Sequence, residues 1–163
     1  MHPEYFSLHG IGHIYTPYQE QTPYQPQKNA DGDFYILLDK KYTNGLKKLS
    51  TFKYIYVVFY LHKVIRDTKM KVIPPWSHNS EIGVFASRSP NRPNPIGLSI
   101  VELKKIEGNK LYISGIDAYN GSPVLDIKPY IDELDAKKDA NFGWVQETGD
   151  LEHIKLHIKG IAH

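Results

Sequence analysis

Between Phe52 and His62 the chain reads FKYIYVVFYLH. Aromatic and β-branched residues fill it almost without interruption, and such residues favour a pleated, half-buried surface over a helix. Apolar side chains occupy both alternating faces, the pattern of a central strand with neighbours on each side. The core of the run, YIYVVFYL, is 8 residues long, far short of the roughly 20 that span a bilayer. The chain must therefore build a sheet around this segment. Composition agrees: Tyr is abundant at 12, Ala is scarce, and 40% hydrophobic against 23% charged residues permits a sizeable core. At 163 residues the sequence fits one domain, 1–163.

Other segments supply partners for that strand. GIGHIYTPY (10–18) reads as a first strand ending at a turn, and FYILLD (34–39) as a second. Between them lies a polar loop, QEQTPYQPQKNADGD (19–33); loops of that length are usually functional or disordered. KKYTNGLKKLSTF has room for a helical turn or two, and VIRDTKMKVIPPWSHNSEIGVFAS reads as strand-like pieces around a Pro-Pro turn. LSIVELKKIEGNKLYISG forms a hairpin about EGNK, with Val101, Leu103 and Ile106 facing Leu111, Ile113 and Gly115. NGSP (120–123) is a further turn. DELDAKKDANFGWVQE has helical composition, whereas LEHIKLHIKGIAH alternates with period two and reads as a last strand. Roughly six to eight strands result, and an antiparallel β-barrel with few short helices closes them without open edges.

Several chemistries are poorly supported. No GxGxxG or GxxxxGK[ST] is present, which argues against a doubly wound nucleotide domain, and no GxSxG elbow marks a serine hydrolase. The absence of cysteine removes disulfides, thiol nucleophiles and Cys-ligated zinc, and fits a reducing, cytoplasmic setting. The N-terminus has no basic stretch followed by an apolar core, so no signal peptide is expected. A net charge of +2 implies RNA binding only through local clustering. The histidines His2, His9, His13, His62, His78, His153, His157 and His163 are scattered. His153 and His157 stand i, i+4, a zinc-binding spacing on a helix only; in a strand they are solvated side chains, so no metal is expected.

The most concentrated signal is SRSPNRPNPIG (87–97), with three prolines, two arginines and two asparagines. Each proline fixes its own φ and drives the preceding residue (Ser89, Arg92, Asn94) into an extended conformation. Such a loop loses little entropy when a ligand arrives. Arg88 and Arg92 thus sit on a stiff frame suited to a carboxylate or a phosphate. Gly97 permits a sharp turn or close approach of a ligand to the backbone. A rigid structural turn is the plain alternative.

GVFASRSPNRPNPIGLSIVEL, followed by GIDAYNGSPVLDIKPY (115–130), closely resembles the signature of the TsaA-like family, whose characterised members are TrmO-type tRNA methyltransferases. GIGHIYTPYQE resembles its opening strand and FYLH its strand ending in histidine, so the resemblance runs from about Gly10 to Tyr130. It resembles the short form, without the additional C-terminal domain of longer members. The resemblance implies a non-Rossmann β-barrel, S-adenosylmethionine as cofactor, a homodimer with the cofactor near the subunit interface, and N6-methylation of threonylcarbamoyladenosine beside the tRNA anticodon.

Carried over by motif, the resemblance implies cofactor contacts from Gln25, Pro26, Gln27, His62, Lys63, Arg88, Leu98, Ser114, Gly115, Ile116 and Asp117. Arg88 suits the cofactor's carboxylate, Asp117 its ribose diol, and Leu98 and Ile116 its adenine. Tyr24 stands where family members usually carry a basic residue, and Lys63 where they carry varied polar residues. Asp126, Lys128 and Tyr130 alternate along a strand and share a face. The plain reading of that face is a surface ion pair; beside the motif, Lys128 becomes an RNA or substrate contact together with Arg92 and Asn94. Asp126 or Tyr130 is the candidate acceptor for the proton of a weakly nucleophilic ureido nitrogen. The rival functions are a methyltransferase of another RNA or small-molecule target, and a non-enzymatic module binding S-adenosylmethionine or RNA.

Overall fold

The computed structural model describes residues 5–65 and 69–163. His2 and residues 66–68 of the VIRDTKM segment lie outside them. In chain order the strands are β1 (Gly12–Tyr15), β2 (Tyr35–Leu38), β3 (Tyr54–Tyr60), β4 (Lys71–Val72), β5 (Ile82–Gly83), β6 (Ile96–Glu107), β7 (Lys110–Ile113) and β8 (Ser122–Pro129). Six of them pair antiparallel in the order β1-β2-β7-β6-β3-β8, and β8 pairs back onto β1, so the sheet closes into a ring. β4 and β5 form a separate two-stranded ribbon.

β3 is central, as its composition implies, with β6 along one edge and β8 along the other. Its two faces differ, however. Ile55, Val57 and Phe59 point into the ring and are almost wholly buried, while Tyr54, Tyr56, Val58 and Tyr60 face outward and are half-buried. The ring interior is completed by Ile14, Ile36, Val101, Leu111, Ile113, Ile116 and Val124, none more than 1% exposed. Each such side chain contributes about 1.5–3 kcal/mol on leaving water.

The turns fall where the sequence places them. Gly108 (φ 60°) joins β6 to β7 inside EGNK, and Gly121 (φ 81°) opens β8 after Asn120. Residues Lys40–Leu46 and Leu49–Thr51 form 3-10 turns. Gly97 is no hinge. It lies within β6 opposite Phe59, and a Cβ there would meet the Phe59 ring at 2.5 Å. Glycine is required because that ring lies across its backbone.

The C-terminal segment corrects the sequence reading. The stretch of helical composition holds only single turns, α1 (Asp132–Asp135) and α2 (Trp144–Glu147). LEHIKLHIK, expected as a strand, is instead the longest helix, α3 (Leu151–Lys159). Its apolar residues satisfy both periods: 154, 156 and 158 alternate, but 151, 154, 158 and 161 also follow a helical stripe. The ends decide. Asp150 accepts the His153 N–H through Oδ1 (2.9 Å), and Gly160 (φ 67°) terminates the helix in a left-handed cap. Among the described residues no helix is long and apolar enough to cross a membrane.

Candidate functional site

The proline-rich loop leaves the end of the turn Val84–Ala86 and enters β6 at Ile96. It is braced from within. The Arg92 guanidinium donates through Nη1 to the carbonyls of Ser87 (3.3 Å) and Ser89 (3.1 Å), and Leu61 N donates to Pro95 O (2.8 Å), tying the loop to the end of β3. Arg92, expected to reach outward, thus holds its own loop. Asn94 is exposed beside it. Arg88 is also exposed, and its charge acts on Asp117.

Asp117 is the electrostatic centre of this region. It lies half-buried just beyond β7, and Ser99 of β6 donates its Oγ–H to Asp117 Oδ1 at 2.6 Å. Burial pushes the carboxyl above its ordinary value; the Ser99 hydrogen bond, its own backbone N–H and the Arg88 charge pull the other way. Tyr18 is raised too, by burial and then by the Asp117 charge. A carboxylate and a guanidinium close enough for their charges to interact offer an acceptor for a ligand's diol and a donor for its carboxylate. Ser99 escaped the sequence reading, although a serine at an inward position of LSIVEL is a legible anomaly.

The residues before Asp117 are structural supports. Ser114 is buried and closes β6 to its own strand: Ser114 N donates to Glu102 O, and Glu102 N donates to Ser114 Oγ, both at 2.9 Å. Ile116 is fully buried in the core, which leaves only its main chain for a ligand. A Cβ on Gly115 would stand 2.1 Å from the Gln27 carbonyl and 2.9 Å from Ala30. The missing side chain is therefore what seats the Gln25, Pro26, Gln27 segment against the ring.

That segment belongs to a strap, residues 19–33, fastened along its length. Lys63 donates to the Gln19 carbonyl and lies 4.8 Å from the Tyr119 ring centre. Tyr119 donates its hydroxyl to Glu20 O at 3.2 Å. Lys28 pairs with Glu102 (3.0 Å) and donates to the Tyr54 hydroxyl (3.2 Å), fixing the other side. His62 Nδ1 contacts Ser122 Oγ at 3.2 Å, and its pKa is lowered by burial and then by the Lys63 and His13 charges. Lys63 is thus a clasp for the strap, a role invisible in local sequence.

Leu98, Asp126, Lys128 and Tyr130 lie elsewhere. Leu98 pairs with Val58, which pairs with Asp126, so the three share the outer face of the ring; Ser99 beside Leu98 points inward. Asp126 binds Lys128 at 2.8 Å with both side chains well exposed, and this contact raises the Lys128 pKa. Tyr130 packs against Tyr54 and Tyr56 with centroids 6.4 and 5.7 Å away. Among the described residues no contact links Asp126 or Tyr130 to Arg88 or Asp117.

A family model described as the tRNA-methyltransferase O N-terminal domain matches residues 13–136, most of the chain. The chain belongs to this family. A probable S-adenosyl-L-methionine-binding protein of Pyrococcus abyssi is 35% identical over 85% of this chain and 75% of its own length. The tRNA (adenine(37)-N6)-methyltransferase of Escherichia coli is 34% identical over 90% of this chain and 67% of its own. The human enzyme of that name is 41% identical over 72% of this chain, but only 28% of its own length is matched. The crystal structure of TrmO from Pseudomonas aeruginosa superposes with a TM-score of 0.71 at 33% identity, covering 86% of this chain and 62% of that one. The span matched by the methyltransferase O family contains every expected site residue from Gln25 to Tyr130 and stops before α3.

Proposed function

We propose that the chain is an S-adenosylmethionine-dependent methyltransferase acting at N6 of threonylcarbamoyladenosine, next to the anticodon of tRNA. The observation that carries the reading is the Arg88–Asp117–Ser99 group beside a strap clasped to the ring, within the span matched by the methyltransferase O family. This pairing of acceptor and donor fits the cofactor. Arg88 would hold its carboxylate, Asp117 its ribose diol, and the main chain at Gln25–Gln27 and Ser114–Ile116 its adenine. When bound, S-adenosylmethionine supplies an electrophilic methyl group on a sulfonium, so the chain need provide only orientation, exclusion of water and an acceptor for the departing proton. Asp126 and Tyr130 remain the candidates for that acceptor. Lys128 and Asn94 would meet RNA phosphates, with Arg92 stiffening the loop beneath.

Leu98 faces away from Asp117 within one chain. A homodimer that lays the outer face of β6 against a second copy would bring Leu98 to the cofactor edge, so the β-barrel is proposed to work as a pair, in the cytoplasm. A second reading, a cofactor-binding module without turnover, is favoured by the ion-paired, outlying position of Asp126.

Titration calorimetry with S-adenosylmethionine tests the site. Wild type should bind in the micromolar range, and Arg88→Ala should weaken binding about 10-fold or more, the loss of roughly 1.4 kcal/mol expected for a charge-assisted contact. No binding by folded wild type would overturn the reading. Methyl transfer to threonylcarbamoylated tRNA then separates enzyme from module.

A further inference from the structure

The strap's outer side meets a group of histidines that the methyl-transfer reading does not use. α3 presents His153 and His157 one turn apart, with their Nε2 atoms 3.0 Å from one another. Beyond the helix, Gly160 takes the left-handed conformation, Gly160 N donates to His157 O (3.1 Å), and Ile161 N donates to Leu156 O (3.0 Å). This turn folds the chain back over the helix. It sets the His163 ring edge-on to both others, with centroids 4.8 Å from His153 and 4.7 Å from His157. One ligand nitrogen from each of the three lies within 4.8 Å of the other two.

We propose that His153, His157 and His163 form a binding site for one divalent transition-metal ion of the Zn2+ class. Three imidazoles with no acidic or thiol side chain among them suit borderline ions such as zinc rather than Mg2+ or Ca2+. With Zn–N bonds of about 2.0–2.1 Å, tetrahedral ligands stand roughly 3.4 Å apart. The 3.0 Å between His153 and His157 and the 4.8 Å that bounds the whole set lie on either side of that spacing. A hydrogen bond between His153 and His157 accounts for two of the rings but not for the approach of the third to both.

The surroundings are those of a ligand set. His163 Nδ1 contacts the Ile161 carbonyl at 3.1 Å, and a carbonyl can only accept, so Nδ1 carries the hydrogen. That leaves the Nε2 lone pair for the ion, the arrangement by which an outer carbonyl orients a metal-binding imidazole. Tyr24 meets the His157 ring edge-on at 4.9 Å, and Trp76 packs against His157 (5.7 Å) and His153 (6.3 Å). These aromatics fix the ring planes. The same recess is lined by Gln27 and Pro75, which leaves a fourth position for water or an added ligand. Gly160 lies against the Gln27 side chain, so a bound ion would fasten the tail after α3 to the helix where the two meet the strap.

The test uses full-length, untagged protein without S-adenosylmethionine, so its outcome is independent of the proposed methyltransferase. Calorimetry with Zn2+ should give one ion per chain with Kd of about 1 μM or tighter. Co2+ should give the intense visible absorption of a tetrahedral site. His157→Ala and His163→Ala should each weaken binding about 10-fold or more, while His9→Ala, at an exposed histidine elsewhere, should not. His163 is exposed and follows the helix, so its variant retains the fold. Zn2+ should also raise the Tm of wild type and leave that of His163→Ala unchanged. Failure to bind one ion per chain, or an affinity indifferent to His163→Ala, would overturn the proposal.

Discussion

Gly97 and Asp117 carry the sharpest consequences at the scale of single residues. A Cβ at Gly97 would press on Phe59, a core ring held by its neighbours, at 2.5 Å. Gly97→Ala should therefore lower stability by about 1–3 kcal/mol through overpacking. Gly83→Ala, where a Cβ would meet nothing within 4 Å, should stay within about 0.5 kcal/mol. Urea denaturation of the pair measures the contrast, and equal effects would mean that Phe59 yields freely. Asp117 governs a pH dependence. Its folded pKa is raised above 3.8, so the folded state holds the proton more tightly than the unfolded one. Its contribution to stability is greatest below 3.8 and declines as pH rises through the folded value. Subtracting the stability–pH curve of Asp117→Asn from that of wild type should leave a difference that falls across this window. A difference that rises would mean that Ser99 and Arg88 outweigh burial.

At the scale of elements, α3 depends on its ends. Its apolar residues fit a strand as well as a helix, and its outer positions are charged or polar. The Asp150 cap satisfies one of the backbone N–H groups that a helix start leaves open. Asp150→Ala should cost about 1 kcal/mol and reduce helical circular dichroism. If the proposed zinc site depends on the helix, the same variant should weaken Zn2+ binding. An unchanged spectrum would show that packing of Tyr24 and Trp76 against the histidine rings suffices to hold α3. The strap is the complementary case, an irregular segment ordered by fastenings rather than by its own backbone. Lys63, Tyr119, Lys28 and the bare face of Gly115 each fix one part of it.

For the whole molecule, ring closure separates two environments. Inside are the core and the Ser99–Asp117 pair; outside, Ile96, Leu98 and Ile100 are exposed next to the half-buried Tyr56, Val58 and Tyr60. That apolar strip is the surface on which the proposed homodimer rests. Ile100→Glu places a charge there without touching the core, since Ile100 is 45% exposed. Sedimentation should show wild type as a dimer and the variant as a monomer, with weakened S-adenosylmethionine binding and a similar Tm. A wild-type monomer that binds the cofactor normally would separate the site from any partner.

Local pattern alone determined a good deal about this protein. The central place of β3, the hairpin at EGNK and the stiffness of the proline loop follow from residue type and period, which act over a few bonds. Long motifs placed the chain in its family for the same reason: they are contiguous. Tertiary structure decided what depends on distant neighbours. Ser99 meets Asp117 across 18 residues, Lys63 reaches Gln19 across 44, and Gly97 and Gly115 are explained only by Phe59 and Gln27. The histidines of α3 converge because caps, not periodicity, choose helix over strand there. Ring closure brings such residues together, and no local preference encodes which side chain will stand across the ring.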